Sequence, residues 1–217
     1  MHSVAALRLG AAEVVGIDID SDSVATTRAV LRRYAPGAPA RVVQTSVFDV
    51  SPETFGRFDV VYSWGVLHHT GDMFRALRCA AELVNPGGAL VIALYRKTWL
   101  CGLWRLEKRW YTQASERAQS RARAIYTRLF ALALWLKGIR FRDHVQSYCS
   151  RSRGMDVFHD VHDWLGGYPY ESISPNELDD LMASIGFTRT RAFVRRGLMH
   201  RSGVFGSGCD EYVYTRS

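Results

Sequence analysis

Val14-Val15-Gly16-Ile17-Asp18-Ile19-Asp20 is a short apolar run that closes on an acid. Continuous apolar character over so few residues suits a strand buried on both faces of a parallel sheet, since a half-buried strand would alternate. The flanking segments agree with that reading. Residues 3–9 place Val4, Leu7 and Ala11 at helical spacing, with Gly10 as a C-cap. After the run, Asp22 or Ser23 is expected to cap a helix reaching Tyr34, with Val24, Thr27, Leu31 and Tyr34 on one side. Arg41 to Thr45 reads as the next strand, and Phe58 to Ser63 as the third. A helix capped by Asp72 runs to about Val84, with Phe74, Leu77, Ala81 and Val84 on one face. Asn85-Pro86-Gly87-Gly88 reads as a turn, and Ala89 to Leu94 as the fourth strand. Strand and helix alternate throughout, which predicts an α/β, Rossmann-like, doubly wound and mostly parallel sheet.

The pattern changes after Tyr95. Residues 98–148 show helical spacing rich in arginine and aromatic residues, with a polar stretch from Gln113 to Arg123 expected to separate two apolar-faced helices. Loop signals dominate 150–173. Ser174-Pro175-Asn176-Glu177 is a capping box with proline at the first helical position. Leu178, Leu181, Met182 and Ile185 form the face of that helix. Phe187 to Val194 and Glu211 to Thr215 are strands with no helix-length segment between them, which requires an antiparallel hairpin. The expected organisation is a core over 1–95, a basic helical cap inserted over 96–155, and a substrate loop, last helix and hairpin over 156–217 that complete the core.

Charge sharpens the cap. The 217-residue chain carries a formal +7, but residues 96–153 hold 14 Lys/Arg against 3 Asp/Glu, leaving 14 against 18 elsewhere. A basic insertion in a mildly acidic frame suggests an anionic partner surface or substrate. The longest apolar run, Leu129 to Leu136, is far short of the roughly 20 residues a membrane span needs. No secretory signal pattern opens the chain. Cys79, Cys101, Cys149 and Cys209 form neither a C-x-x-C pair nor a zinc-like cluster, so the expectation is free thiols in a reducing cytoplasm and no metal.

In α/β sheets ligands gather at the carboxyl ends of the strands, and an acid at the tip of the second strand can bond both hydroxyls of a ribose. Asp18 is that acid. Ser46-Val47 with Asp49, Ser63-Trp64-Gly65 and Leu94-Tyr95 mark the other strand ends and are expected to face the same crevice. Farther on, His159, His162, Asp163, Trp164, Tyr168 and Tyr170 concentrate polar and aromatic groups within twelve residues, as a substrate pocket would.

Read together, V-V-G-I-D-I-D, F-D-V-V-Y-S-W-G-V-L-H-H-T-G-D and N-P-G-G-A-L-V-I-A-L-Y resemble the class I S-adenosylmethionine (SAM)-dependent methyltransferases over about residues 3–95, and the final helix and hairpin extend the likeness to 173–217. The resemblance implies SAM as cofactor. It implies Asp18 on the ribose, Ile19 against the adenine, and Ser46 and Val47 at the adenine edge. Many relatives carry an acid at that edge, so recognition here falls to backbone groups or to Asp49. Ser63, Trp64 and Gly65 would line the methionine side, with His68 and His69 close by. The stretch G-M-D-V-F-H-D-V-H-D-W-L-G-G-Y-P-Y-E resembles a loop in a subgroup associated with surface-glycan and lipid-linked metabolism, which implies a small-molecule or lipid- or glycan-related acceptor with Trp164, Tyr168 and Tyr170 around it. Relatives also carry a D-x-G-x-G-x-G segment ahead of the first helix. This sequence has none, so it reads as N-terminally truncated, lacking a central first strand.

Methyl transfer is an in-line displacement in which the enzyme chiefly positions the reactants and excludes water. His68, His69, His159 and His162 are the candidate bases, since histidine titrates near neutral pH. Two rivals share the pattern. An NAD-dependent oxidoreductase would use Asp18 equally well, though the terminal hairpin and the P-G-G turn count against it. A non-catalytic binding protein of the same fold would hold a partner through the cap. In the cap, Trp99, Leu103, Trp104, Trp110 and Tyr111 interleave with Arg105, Lys108 and Arg109, a candidate pattern for peripheral membrane contact. No RNA-binding module is visible, so no nucleic-acid partner is expected.

Overall fold

The computed structural model describes residues 1–151, 156–194, 203–204 and 208–217. Residues 154 and 155, at the start of the expected acceptor loop, and the last residues of the expected cap lie outside these. The chain forms two compact units, Met1–Val61 with Phe74–Gly88, and Tyr62–Met73 with Ala89–Ser217.

The first unit opens with α1 (His2–Arg8), β1 (Val14–Asp18), α2 (Ser21–Tyr34), β2 (Ala40–Gln44) and the short α3 (Pro52–Phe55). β1 and β2 run parallel, Val14 opposite Ala40 and Asp18 opposite Gln44, joined through α2, which buries Val24 and Leu31. The cap of α2 is Asp20, whose carboxylate accepts from the Ser23 N–H at 2.8 Å. Asp22 and Ser23, the expected caps, already lie in the first turn. Asp20 has the extended backbone (φ −84, ψ 123) that lets a side chain fold back onto the free N–H groups. Most of α4 (Met73–Glu82) belongs to this unit and buries Ala76, Leu77, Ala80 and Ala81, while Phe74 is exposed.

The remaining strands are β3 (Phe58–Trp64), β4 (Val84–Tyr95), β5 (Phe187–Phe193) and β6 (Cys209–Arg216), in the order β3-β4-β6-β5. Asn85-Pro86-Gly87-Gly88, expected as a turn, is the first part of β4. Gly87 has φ +75, and a Cβ on Gly88 would stand 2.9 Å from the Asp59 and Asn85 carbonyl oxygens. The glycines therefore let two backbones approach closely without ending the strand. The Asn85 amide donates to the Asp59 carboxylate at 2.9 Å and pins the same point. β6 is antiparallel to both neighbours, Ala89 facing Thr215 and Phe187 facing Arg216, so the terminal hairpin is present. Leu90, Ile92, Leu94, Tyr212 and Tyr214 form its buried core.

β1 and β3 are less buried than apolar runs suggest. Among the described strands β1 pairs with β2 alone and β3 stands at the end of its sheet. Ile17, Val60 and Tyr62 are correspondingly exposed. An apolar strand is buried on both faces only when neighbours and covering helices flank it.

In the second unit, α5 (Cys101–Gln113), α6 (Glu116–Leu136), α7 (Phe141–Arg151), α8 (Val157–Gly166) and α9 (Pro175–Ser184) follow β4. Two sequence expectations fail here. The polar stretch from Gln113 to Arg123 is not a linker: the helical break is only Ala114–Ser115, and α6 begins at Glu116. Its charged residues are simply the solvated side of a helix. The expected loop over 150–173 contains α8, capped by Asp156, which accepts from the Phe158 and His159 N–H groups, and anchored by buried Val157, Val161 and Leu165 at four-residue spacing. The capping box of α9 forms as expected, Ser174 with Glu177 and Pro175 in the first turn.

Candidate functional site

Two groups of candidate residues lie in different compact units. In the first unit, Asp18 and Ile19 stand at the end of β1, beside the end of β2. The Thr45 N–H donates to the Asp18 carbonyl at 2.9 Å, and the Gln44 amide donates to the Ile19 carbonyl at 3.2 Å. One Asp18 carboxylate oxygen accepts from the Asp20 N–H at 3.0 Å, and the carboxylate is exposed. Ile19 is also exposed, 72% of it, as an apolar platform in open solvent. Ser46 caps the short 3-10 turn Val47–Asp49 by accepting from the Phe48 N–H. Val47 is half-buried and Asp49 exposed. These are five groups at the carboxyl ends of two parallel strands, the position where α/β sheets bind ligands.

The second unit holds the rest. Gly65, at φ +75, turns the chain out of β3, and its N–H donates to the Ala93 carbonyl. Ser63 is half-buried, and the Trp64 indole donates to Glu211 at 3.2 Å. The 3-10 turn Leu67–His69 then places two adjacent histidines in different surroundings. His68 is fully buried, with its ring 3.9 Å from that of Tyr95. Its Nδ1 accepts from the Tyr95 N–H, which puts the proton on Nε2, where no partner among the described residues receives it. Burial, and then the neighbouring His69, hold its pKa down to about 2. His69 is half-buried and its Nδ1 donates to the Pro169 carbonyl at 2.7 Å, so Nε2 is the nitrogen left to take a proton. Burial lowers its pKa, the carbonyls of Pro169 and Gly167 work against that, and Lys108 adds to it.

The end of α8 and the strap after it bring Trp164 and Tyr170 to these histidines. The Glu171 N–H donates to the His68 carbonyl, and Ile173 exchanges backbone hydrogen bonds with the end of β4. The Glu171 carboxylate also accepts from the Met73 N–H at the start of α4. Tyr95 lies 5.3 Å from the rings of both Trp164 and Tyr170, and 5.2 Å from His69. Tyr170 is buried, with its hydroxyl 3.3 Å from Cys101 Sγ, whereas Tyr168 is partly exposed. His68, His69, Trp164 and Tyr170, distant in sequence, thus share one aromatic cluster.

His159 and His162 do not join it. His159 is exposed beside Asp156. His162 Nδ1 lies 2.8 Å from the Tyr111 hydroxyl and 3.2 Å from Arg123. Both histidines line an open cleft of about 570 Å³ between α6 and α8, together with Arg123, Arg128, Thr127 and Phe158.

Lys108, named from the sequence only in the interleaved cap pattern, belongs to the aromatic cluster. It is completely buried on the inward side of α5, with its ammonium 3.6 Å from the Trp164 ring centre and donating to the Trp164 carbonyl. Burial pushes its pKa down and that of neighbouring Glu107 up. The signal was the spacing Trp104, Lys108, Tyr111, which puts the lysine on the same helix side as two aromatic residues. Tyr95 was noted only as a strand end, yet its ring is the centre of the cluster. Among the described residues no group of His, Cys, Asp and Glu could hold a metal ion.

Comparison with known proteins gives three concordant results. A family model described as a methyltransferase domain matches residues 2–90. A tRNA U34 carboxymethyltransferase of Methylococcus capsulatus is 37% identical over 91 residues, covering 42% of this chain and 28% of its own. The mitochondrial ubiquinone biosynthesis O-methyltransferase of Homo sapiens is 32% identical over 95 residues, covering 43% and 25%. The chain therefore spans about a quarter of the length of these relatives. Among solved structures, PKMT2 from Rickettsia typhi in complex with AdoHcy superimposes with a TM-score of 0.61 at 11% identity, over 94% of this chain and 44% of that one. Magnesium protoporphyrin IX methyltransferase from Synechocystis with bound SAH gives 0.53 at 14% identity, over 99% and 68%.

Proposed function

We propose that this protein transfers a methyl group from SAM to a small-molecule acceptor, a reading supported by the match of residues 2–90 to a methyltransferase-domain model and by the Rossmann-like fold shared with solved methyltransferases. The observation that carries the reading is Asp18, an exposed carboxylate at the tip of a parallel strand with one oxygen held by the Asp20 N–H. The other oxygen, which accepts no hydrogen bond among the described residues, is free for ribose hydroxyls. Exposed Ile19 offers a face for the adenine, and the turn Ser46, Val47 and Asp49 offers backbone and carboxylate groups for its edge.

SAM supplies a sulfonium methyl, which passes to an acceptor oxygen or nitrogen as the carbon–sulfur bond breaks. The chain's own part is to position the acceptor, exclude water and take its proton. His69 Nε2 suits that last task better than His68, whose burial opposes any charge on the ring. The acceptor is lipid- or glycan-related in this reading. Support comes from the resemblance over 154–171 and from the apolar, aromatic surroundings that Tyr95, Trp164 and Tyr170 give His69. Ser63, Trp64 and Gly65 serve the methionine side. No helix of the described residues is long and apolar enough to cross a membrane.

Thermal unfolding with S-adenosylhomocysteine (SAH) and with NAD tests the assignment. A ligand at 100 times its Kd stabilises by about 2.7 kcal/mol, which is roughly 5–10 °C for a chain of this size. SAH is expected to produce the rise in the native chain and not in Asp18→Ala. A rise with NAD instead would establish the oxidoreductase alternative. His69→Gln is expected to keep the SAH response and lose turnover.

A further inference from the structure

α5 and α6 each have two apolar sides, and among the described residues only one side of each is covered. On α5 the inward side carries Trp104, Lys108 and Tyr111, the last two fully buried. The opposite side carries Leu103, Leu106 and Trp110, with Trp99 immediately before the helix. On α6 the inward side carries Arg123, Tyr126, Phe130 and Leu134, and the outward side Ile125, Leu129, Leu132 and Leu136. All eight outward residues are between 52% and 96% exposed. They recur at three- and four-residue spacing, so each set forms a continuous stripe. A surface helix normally turns its polar side to water. Here the inner sides are already packed, and the outer stripes are surplus apolar surface of the kind that marks an interaction site.

The charge beside the stripes identifies the occupant. Arg109, Arg117, Arg121, Arg128, Lys137 and Arg140 are exposed and form no ion pair among the described residues. On α6 the helical angles place Arg121 and Arg128 on the flank of the Ile125–Leu136 stripe, with Trp135 on the same flank. Tryptophan at the margin of an apolar face, with free arginines alongside, is the composition that settles at the boundary between lipid headgroups and acyl chains. A protein partner would need matching acids. A bilayer rich in anionic phospholipid supplies both the negative charge and an apolar layer that accepts leucine side chains without further shape matching. We propose that the outward faces of α5 and α6 dock on an anionic phospholipid bilayer, lying in its surface. The docking is independent of the methyl-transfer reading and is measured without SAM.

The test is co-sedimentation of the whole 217-residue chain with vesicles of equal parts phosphatidylglycerol and phosphatidylcholine, and with phosphatidylcholine alone. The native chain is expected to pellet with the anionic vesicles and to remain largely in solution with the neutral ones. The paired change Arg121→Gln and Arg128→Gln is expected to weaken anionic binding about thirtyfold, from the contribution of each basic residue near a charged surface. Leu103→Ser with Leu106→Ser, and Leu129→Ser with Leu132→Ser, are each expected to weaken it at least about tenfold, since each removes several methylenes from the lipid. These side chains face water, so circular dichroism and the SAH response are expected to stay unchanged. A lost SAH response in the native chain bears on the methyltransferase reading alone. Absence of pelleting with anionic vesicles overturns the docking proposal. So does pelleting indifferent to the leucine pairs, or a concentration-dependent dimer in analytical ultracentrifugation that the leucine pairs break while vesicles remain unbound, which would assign the faces to a second copy of the chain.

Discussion

His68 ties the stability of this fold to pH with a sign and size that follow from its surroundings. The folded ring has its proton on Nε2 and its Nδ1 lone pair turned to the Tyr95 N–H. Adding a second proton would charge a fully buried group and set two N–H donors against each other, which is why its pKa falls from 6.5 to about 2. Above 6.5 neither the folded nor the unfolded ring is charged, and the group is neutral to stability. As pH falls below 6.5 the unfolded ring binds a proton that the folded ring refuses, so stability drops progressively until about 2. Between pH 7.5 and 5.0 the unfolded chain gains protonation over the 1.5 units from 6.5 to 5.0, worth about 2 kcal/mol at about 1.36 kcal/mol per unit. That corresponds to roughly 4–8 °C in melting temperature for a chain of this length. The assay is thermal unfolding at both pH values for the native chain and for His68→Leu. The leucine variant lacks the Tyr95 acceptor and is expected to be less stable at both, by about 1–3 kcal/mol. Its loss between pH 7.5 and 5.0 is expected to be smaller than the native loss by the full increment, because His69 and the other titrating groups are common to both proteins. Equal pH dependence in the two proteins would show that His68 is protonated in the folded state and would refute the burial argument.

Three further outcomes follow from local geometry. Arg96 forks onto Asp210 at 2.6 and 3.0 Å with both side chains nearly buried, so Asp210→Ala leaves a guanidinium without its counter-charge and is expected to cost about 3–5 kcal/mol in denaturant titration. Gly88→Ala drives a methyl group to 2.9 Å from two carbonyl oxygens and Val84 Cγ1, and is expected to destabilise by about 1–3 kcal/mol in the same measurement. Asp156→Ala removes the acceptor of two N–H groups at the start of α8 and is expected to cost about 1 kcal/mol, with faster amide exchange confined to the first turn of that helix.

Much of the fold was legible because its signals are local. Residues 14–18 are a strand by their apolar continuity, and Ser174 to Glu177 start a helix because the serine and the glutamate can bond each other's backbone N–H groups within four residues. The antiparallel hairpin followed from the short connection between two β-rich runs. α8 was less visible. Its histidines and aspartates read as loop polarity, although Val157, Val161 and Leu165 carry helical spacing, since a polar residue on the exposed side of a helix looks in sequence like one in a loop.

The residue chemistry along this chain was set by sequence alone: an acid after β1, paired histidines after β3, an arginine-rich helical segment, and no zinc-like cysteine spacing. Tertiary structure decided which of those groups can act. His68 and His69 are neighbours in the chain, yet one is sealed against Tyr95 and the other is half-buried with Nδ1 bonded to the Pro169 carbonyl. Lys108 is one of 28 basic residues in sequence, and only the packing of α5 against α8 encloses its ammonium over Trp164. Val60 and Tyr62 read as buried and lie open, because strand order determines whether an apolar strand has neighbours. Sequence specifies what each side chain can bond or repel. Burial and pairing depend on which distant segments arrive beside it, and those set the protonation states and free surfaces on which function rests.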